Sequence, residues 1–447
     1  MARPSGSISN VGDDMYRLVV DLYPVCRSIT GDGLRASLRR LQQEAPLTIH
    51  EVPSGTQVLD WTIPNEWNVR DAWVANSRGE RVIDFRRSNL HVLNYSTPIR
   101  CTMSLAELRP HLYTIPEHPD WVPYRTSYYK EDWGFCLEHR RLESLPEDRY
   151  EVVIDSTLAP GVLNYGEYVL RGATAEEVLI SCHCCHPSLA NDNLSGMAMA
   201  VTLAQTLARG TMRYTYRFLF VPGAIGSIAW LATHDEVVPR IRHGLVLSCV
   251  GDPGPFTYKR SRRAEAVVDR AVAHVLRHAD VAHRLIDFVP YGYDERQYCS
   301  PGYNLPVGCF MRTPHGRYPE YHTSADNLDL VCPKALAASL DILLQVVALL
   351  EGNAVLVNTN PKGEPQLGRR GLYGSVGGAA QLPDFESALL WVLNYADGRH
   401  TLLDIADRAE MAFPAIRQAA DALLGVGLLA PAATDTPATG GALKASR

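Results

Sequence analysis

The stretch Ser181-Cys182-His183-Cys184-Cys185-His186-Pro187-Ser188-Leu189-Ala190-Asn191-Asp192-Asn193-Leu194-Ser195-Gly196 lies between an apolar run, Glu177-Val-Leu-Ile-Ser181, and a helical segment that ends at Gly210. The apolar run, with its β-branched members, predicts a strand. The helix is expected to start where Ser195 or Asn193 can cap it and to run through Met197–Ala208, with Gly210 as its stop. His186 and Asp192 then fall at the carboxyl end of a strand, where open α/β sheets place ligand chemistry. Imidazole and carboxylate are both zinc ligands, and a carboxylate with two oxygens can bridge a pair of ions. A plainer reading also fits: Asn191-Asp192-Asn193 as a polar turn before the helix, and the cysteines as small buried hydrophobes.

The surrounding pattern selects an α/β fold. Strands are expected at Glu151–Asp155, Glu177–Ser181, Tyr214–Val221, Gly244–Val250 and Pro306–Met311, with helices near Ser195–Ala208, Ile225–Ala232, Arg263–His278 and Pro333–Leu350. Near-continuous apolar strands joined by helical crossovers imply a sheet covered by helices on both faces. Residues 11–60 supply two amphipathic helices and the strand Leu47–Val52, so this domain is expected to comprise 11–60 and 146–351.

Between them, 61–145 is broken by prolines and holds five of the seven tryptophans (Trp61, Trp67, Trp73, Trp121, Trp133), which predicts a β-rich insert with its own aromatic core. A surface for sugars or aromatic ligands is the alternative reading of those rings. A Gly/Pro-rich linker is expected over 352–383, and a disordered Ala/Thr/Pro-rich tail over 431–447. Between these, 384–430 shows three short helices followed by Gly425-Val-Gly-Leu-Leu429, the pattern of a winged helix. Residues 384–429 carry seven acidic residues against three arginines, a balance poorly suited to tracking phosphates, so protein contact rather than nucleic acid is expected there.

The 447-residue chain is 46% hydrophobic and 21% charged with a net charge of −6, the profile of a soluble globular protein without general attraction to nucleic acid or anionic membrane. No export signal and no run of 18 uncharged apolar residues is evident, so a cytoplasmic protein with reduced thiols at its ten cysteines is expected. Zinc binding by Cys182, Cys184 and Cys185 is set against burial as inert thiols, and burial is favoured because they sit too close together for one tetrahedral site.

Two further ligand types complete a constellation. Asp252, in Val250-Gly-Asp252-Pro-Gly, follows an apolar strand, and His322, in Tyr318-Pro-Glu-Tyr-His322-Thr-Ser-Ala-Asp326, precedes the last long helix. His186, Asp192, Asp252 and His322 are therefore expected to converge on a metal ion.

In that order, His186-Pro187-Ser188 with Asp192-Asn-x-Ser-Gly196, Asp252, Asp294 ahead of Gly302-x-x-Leu-Pro306, and Tyr321-His322-Thr-x-x-Asp326 resemble the motifs of the co-catalytic zinc aminopeptidases. Over nearly its whole length the chain is similar to bacterial proteins with an aminopeptidase-like domain, a β insert and a winged-helix tail, often found with polysaccharide or natural-product gene sets. That likeness is carried by Asp60-Trp-Thr-Ile-Pro-Asn-Glu-Trp67, Tyr128-Tyr-Lys-Glu-Asp-Trp-Gly-Phe-Cys136 and Asp294-Glu-Arg-Gln-Tyr-Cys-Ser-Pro-Gly302.

The resemblance implies one or two zinc ions, with Asp192 bridging, His186 and Asp252 on one ion and His322 on the other. It also implies hydrolysis of an amide near a free amine in a peptide-like or aminoacyl substrate. One position departs: where such enzymes carry a Glu-Glu pair, this chain reads Pro222-Gly223-Ala224-Ile225-Gly226-Ser227. Glu295 is the nearest substitute for the general base, against an alternative role in an ion pair. Asp294 is expected to hold the substrate amine, Arg296 a carboxylate, and Tyr321 to line the substrate. On strand alternation His183 is expected to point away from His186. No membrane partner and a homo-oligomer are expected. The competing reading is a metal-binding pseudo-enzyme or scaffold marked by Gly223, and a third is a biosynthetic acyl-transfer enzyme using the same site.

Overall fold

The computed structural model describes residues 8–372 and 385–432. Residues 373–383 of the expected linker, residue 384 at the start of the expected winged helix, and the expected tail beyond residue 432 lie outside the described residues. The chain divides into two compact units, one of residues 1–276 with 280–344 and one of 277–279 with 345–447.

The first unit is built on an eight-stranded mixed sheet. Its centre is four parallel strands in the spatial order Thr215–Val221, Glu177–His183, Ile241–Leu247, Val307–Met311. Every residue of the first two, and of the last, is buried, which is why they read as unbroken apolar runs rather than alternating ones. Val162–Leu170 and Thr48–Pro53 extend one side antiparallel. Phe256–Lys259, antiparallel to Val307–Met311, and His283–Ile286 extend the other. The parallel core aligns the carboxyl ends at His183, Val221 and Leu247, so the loops that follow them leave from one edge of the sheet.

The insert is a four-stranded antiparallel sheet ordered Arg81–Asp84, Glu66–Ala75, Arg149–Ala159, Ile99–Ser104. Its boundary differs from the expected 145. The strand expected at Glu151–Asp155 belongs to this sheet, and not to the large one, because its partners are Glu66–Ala75 and Ile99–Ser104. Nor does the insert keep a core of its own. Trp67, Val74 and Phe135 fall in one continuous apolar cluster with Leu179, Val221 and Val246 of the large sheet. Trp67 is buried with its Nε1 donating to the Ser96 carbonyl at 2.8 Å, whereas Trp61 remains exposed.

The helix Pro333–Gly352 is long and apolar enough to cross a membrane, but most of it is buried inside the protein, as in a core helix. In the second unit the helices Phe385–Tyr395, Leu402–Ala409 and Phe413–Gly425 accompany a three-stranded antiparallel sheet of Asp397–Thr401, Val355–Asn358 and Leu429–Pro431. A capping box between Thr401 and Asp404 fixes the start of the second of these helices. The stretch expected as linker thus begins with a strand of this small sheet: Val355–Asn358 has too few residues for a period to show, and pairing across the chain decides it.

Candidate functional site

The strand Glu177–His183 ends on a histidine, and the loop after it turns back so that Asp192 comes to rest on that same residue. His183 Nε2 lies 2.8 Å from Asp192 Oδ1, with both side chains fully buried. His186 Nδ1 is 3.4 Å from Asp192 Oδ2, and His322 Nε2 reaches the same oxygen at 3.0 Å. Three imidazoles from two distant segments therefore surround one buried carboxylate. Burial alone would raise the Asp192 carboxyl, but His186, His183 and His322 hold it well below the usual range. Burial likewise pushes His186 down to about 3, leaving it a neutral imidazole.

Hydrogen bonds around the cluster assign the ring protons. Asn193 Oδ1 accepts from the Cys249 amide and its Nδ2 donates to the Leu247 carbonyl at 2.9 Å, so the side-chain amide is fixed and presents Nδ2 to His183 Nδ1 at 3.3 Å. His183 Nδ1 is thereby an acceptor, and Nε2 carries the proton donated to Asp192. His186 Nδ1 lies 3.1 Å from the Asp192 carbonyl, which only accepts, so its Nε2 lone pair is left available, the usual arrangement of a metal-ligating histidine. His322 Nε2 and Asp192 Oδ2 approach closely without the angles of a hydrogen bond, and each is a buried polar atom with no hydrogen-bond partner. His183, His186 and Asp192 each offer an atom within 4.8 Å of the others. Imidazoles converging on a buried carboxylate, with the unpaired Asp192 Oδ2 and His322 Nε2 close together, are a donor set that fits zinc.

A second tier holds this loop. Asp326 accepts from the backbone amides of Asn191 and Asp192 at 2.6 and 3.1 Å, and Tyr318 donates to it as well. Its carboxyl is pushed up to about 7, first by burial and then by the charge of Asp192. His322 itself adopts a left-handed backbone, φ 56°, an uncommon conformation for a side chain of this size and one concentrated at functional sites. Tyr321 stacks on the His322 ring at 4.0 Å, Tyr293 stacks on His183 at 4.1 Å, and their hydroxyls meet at 2.6 Å, forming an aromatic wall. The His322 side chain is 34% exposed, so the cluster opens to solvent there.

The expected residues divide clearly. His186, Asp192 and His322 are brought together, with Tyr321 alongside. Asp252 is not among them: its Oδ1 accepts from Thr313 Oγ1 (2.6 Å) and Gly254 N, its Oδ2 from Asn191 Nδ2 (3.1 Å) and Thr313 N. All its acceptor capacity serves to brace the loop. The residue that sequence reasoning set aside is His183. Alternation holds only within a strand; His183 is its last residue and His186 lies past the turn, so the rule did not apply between them. Cys182, Cys184 and Cys185 are buried, and burial pushes all three thiols up, as expected of inert cysteines.

Glu295 is also placed elsewhere. It is fully buried in a 2.5 Å ion pair with buried Lys259, and its Oε2 accepts from Tyr293 N. Arg296 is exposed. Asp294, in contrast, stands at the departed position: a Cβ on Gly223 would lie 3.8 Å from Asp294 Oδ2 and 3.2 Å from His183 Cβ. Ser227, on the helix that follows Gly223, donates to Asp294 Oδ1 at 2.7 Å, while Oδ2 is buried without a partner. Burial raises this carboxyl to about 6 against the lowering effect of His183. A buried carboxylate from a different loop therefore lies close to Gly223.

A family model described as a domain of unknown function (DUF4910) matches residues 16–353, and one described as a winged helix-turn-helix matches 354–431. A Clostridium acetobutylicum protein provisionally named a polysaccharide biosynthesis protein with aminopeptidase-like domain is 50% identical over 421 residues, covering 94% of this chain and 97% of its own. A crystal structure from the same organism, provisionally called a peptidase, superposes with TM-score 0.91 at 48% identity, covering 95% of this chain and 97% of that one. A zinc aminopeptidase from Bacillus subtilis shares the fold at TM-score 0.56 and 11% identity, over 76% of this chain and 94% of its own.

Proposed function

The chain belongs to the DUF4910 family, and from that membership and its aminopeptidase-like fold we propose that it is a zinc-dependent hydrolase of an amide bond near a free amine, acting in polysaccharide assembly. The observation that carries the reading is the pair of unpaired buried atoms, Asp192 Oδ2 and His322 Nε2, 3.0 Å apart, with the His186 ring 3.4 Å from the same carboxylate oxygen. Asp192, His186 and His322 would hold one ion, with His183 fixing the carboxylate from its Oδ1 side. Bound there, zinc supplies Lewis-acid polarisation of the scissile carbonyl and lowers the pKa of water.

The chain's own residues do the rest. Asp294 replaces Glu295 as the carboxylate that meets the substrate: its unpartnered Oδ2 receives the amine or the proton of the attacking water, while Ser227 holds the other oxygen still. Tyr321 and Tyr293 form a wall that orients the substrate against His322 and His183. Elemental analysis should find one zinc per chain, and a panel of aminoacyl anilides and aminoacyl amino sugars should be hydrolysed only by the zinc-loaded protein. Equal turnover after chelation and dialysis removes the proposal.

Restoring the carboxylate by Gly223→Glu is expected to do harm. The new side chain would press on His183 and set a second negative charge beside Asp294, costing about 1–3 kcal/mol as overpacking does and giving no gain in turnover. Denaturant midpoints and rates on the same panel check this. A rate increase in that variant would show that the wild-type site lacks a base and would favour the pseudo-enzyme reading.

A further inference from the structure

The insert is stitched to the rim of the His/Asp cluster. Tyr124 N donates to the His322 carbonyl at 2.8 Å, Ser324 N donates to the Val122 carbonyl at 2.8 Å, and Ser324 Oγ accepts from Val122 N at 2.9 Å. The Tyr124 ring then stands edge-on to both His186 and His322, with centroids 5.2 and 5.1 Å away. Its hydroxyl meets that of Tyr128 at 2.6 Å, so the insert forms one flank of the cluster where His322 opens to solvent.

From that flank a second pair of rings reaches water. Tyr129, next in the chain, is 55% exposed and Trp61 is 44% exposed, and their centroids lie 5.2 Å apart with the planes tilted by 58°. Burial, then the Cys185 thiol, push the Tyr129 phenol up to about 12, which sets its hydroxyl end inward near the residue preceding His186 and leaves the ring to solvent. Trp61 comes from the hairpin of Gln57–Val58 and Trp61–Thr62, whose first strand packs against the helix Ile225–Thr233. That helix begins just after Gly223. Both rings are thus tied to the cluster, Tyr129 through Tyr128 and Tyr124, Trp61 through the Gly223 segment as well.

The size and surroundings of this pair select its occupant. Among residues 53–159 the exposed large apolar side chains are Leu59, Trp61 and Tyr129, whereas a stable protein interface takes roughly 20–30 residues a side. Polar side chains flank the rings, with Asp60, Thr62 and Lys130 all exposed. A sugar ring matches that combination: one face of C–H groups lies on an aromatic face, and the rim of hydroxyls meets the polar side chains around it.

We propose that the insert presents Trp61 and Tyr129 as a platform for a sugar ring, so that the substrate of the neighbouring site is an aminoacylated saccharide. The platform stands on its own observations, and only its link to cleavage rests on the hydrolytic reading above. Its work is to hold the saccharide while the aminoacyl group reaches past Tyr124 to the cluster.

The test titrates the full chain with maltotriose, cellotriose and chitotriose, by calorimetry and by tryptophan fluorescence. At least one should bind saturably, and Trp61→Ala and Tyr129→Ala should each weaken that binding about tenfold or more, the scale of losing one stacked ring. Trp61→Phe keeps a ring and should retain most of the affinity. Both residues lie at the surface, so unfolding midpoints near that of the wild type are expected in all three variants. No saturable binding of any of the three below about 10 mM overturns the proposal, as does wild-type affinity in both alanine variants. Light scattering covers the other occupant: a dimer that dissociates in Trp61→Ala, with no saccharide bound, would mean that a second copy covers the rings. None of the three sugars carries an aminoacyl group, so their binding is read without turnover. A chain that binds them through Trp61 and hydrolyses nothing upholds the platform and sinks the hydrolytic reading; one that hydrolyses the aminoacyl panel and binds no saccharide does the reverse.

Discussion

Asp192→Asn should strip the protein of zinc, weakening its affinity by about 100-fold or more and abolishing turnover with it. The estimate starts from residues that only orient a ligand, whose loss typically costs 10–100-fold in metal affinity; Asp192 itself stands at the centre of the donor set. Asparagine keeps the shape and can still accept from His183, but it removes the negative charge that His186, His183 and His322 all face. The control is Asp252→Asn. Asp252 accepts four hydrogen bonds from Asn191, Gly254 and Thr313 and does not join the cluster, so this variant should lose stability while keeping zinc. Zinc content per chain and the unfolding midpoint separate the two. If Asp252→Asn loses zinc as completely as Asp192→Asn while remaining folded, the assignment of Asp252 to bracing is wrong.

Lys259→Met is expected to destabilise the fold by about 3–5 kcal/mol, because it leaves Glu295 charged, buried and alone. Lys259 also donates to the carbonyls of Val289 and Tyr291, so its loss releases the segment that carries Tyr293 against His183. A double variant, Lys259→Met with Glu295→Gln, should recover part of the loss, since the uncompensated charge is removed. Denaturant unfolding of the two singles and the double gives the coupling directly. The same series decides the role of Glu295. As an ion-pair partner, Glu295→Gln lowers stability and slows turnover only as far as the Tyr293 segment shifts. Loss of turnover with stability unchanged would restore Glu295 as the general base and displace Asp294.

Much of this protein was legible as a linear pattern. Apolar runs such as Glu177–Ser181 and Tyr214–Val221 announced buried parallel strands, because a strand covered on both faces needs apolar residues throughout. The three helices of the winged helix were equally plain, since amphipathic periodicity is a local property. His186, Asp192 and His322 were singled out because ligand types at strand ends and in loops are few, and the fold brings these three side chains together. The misplacements share a different cause. Asp252 and Glu295 have the right chemistry, but whether a carboxylate is spent on Thr313 or Lys259 depends on what folds against it. The strand at 149–159 was correctly recognised as a strand and assigned to the wrong sheet, because pairing partners 45 and more residues away decide its sheet.

The sequence by itself determined the alternation of strands and helices, the winged helix and the loops that carry His186, Asp192 and His322, all of which follow from side-chain period and composition over a few turns. Only the tertiary structure decided that His183 joins the cluster, that Asp252 leaves it, and that Asp294 fills the place beside Gly223. Those outcomes rest on ångström-scale distances between segments far apart along the chain, set by the packing of strand ends against loops, and no local pattern encodes them.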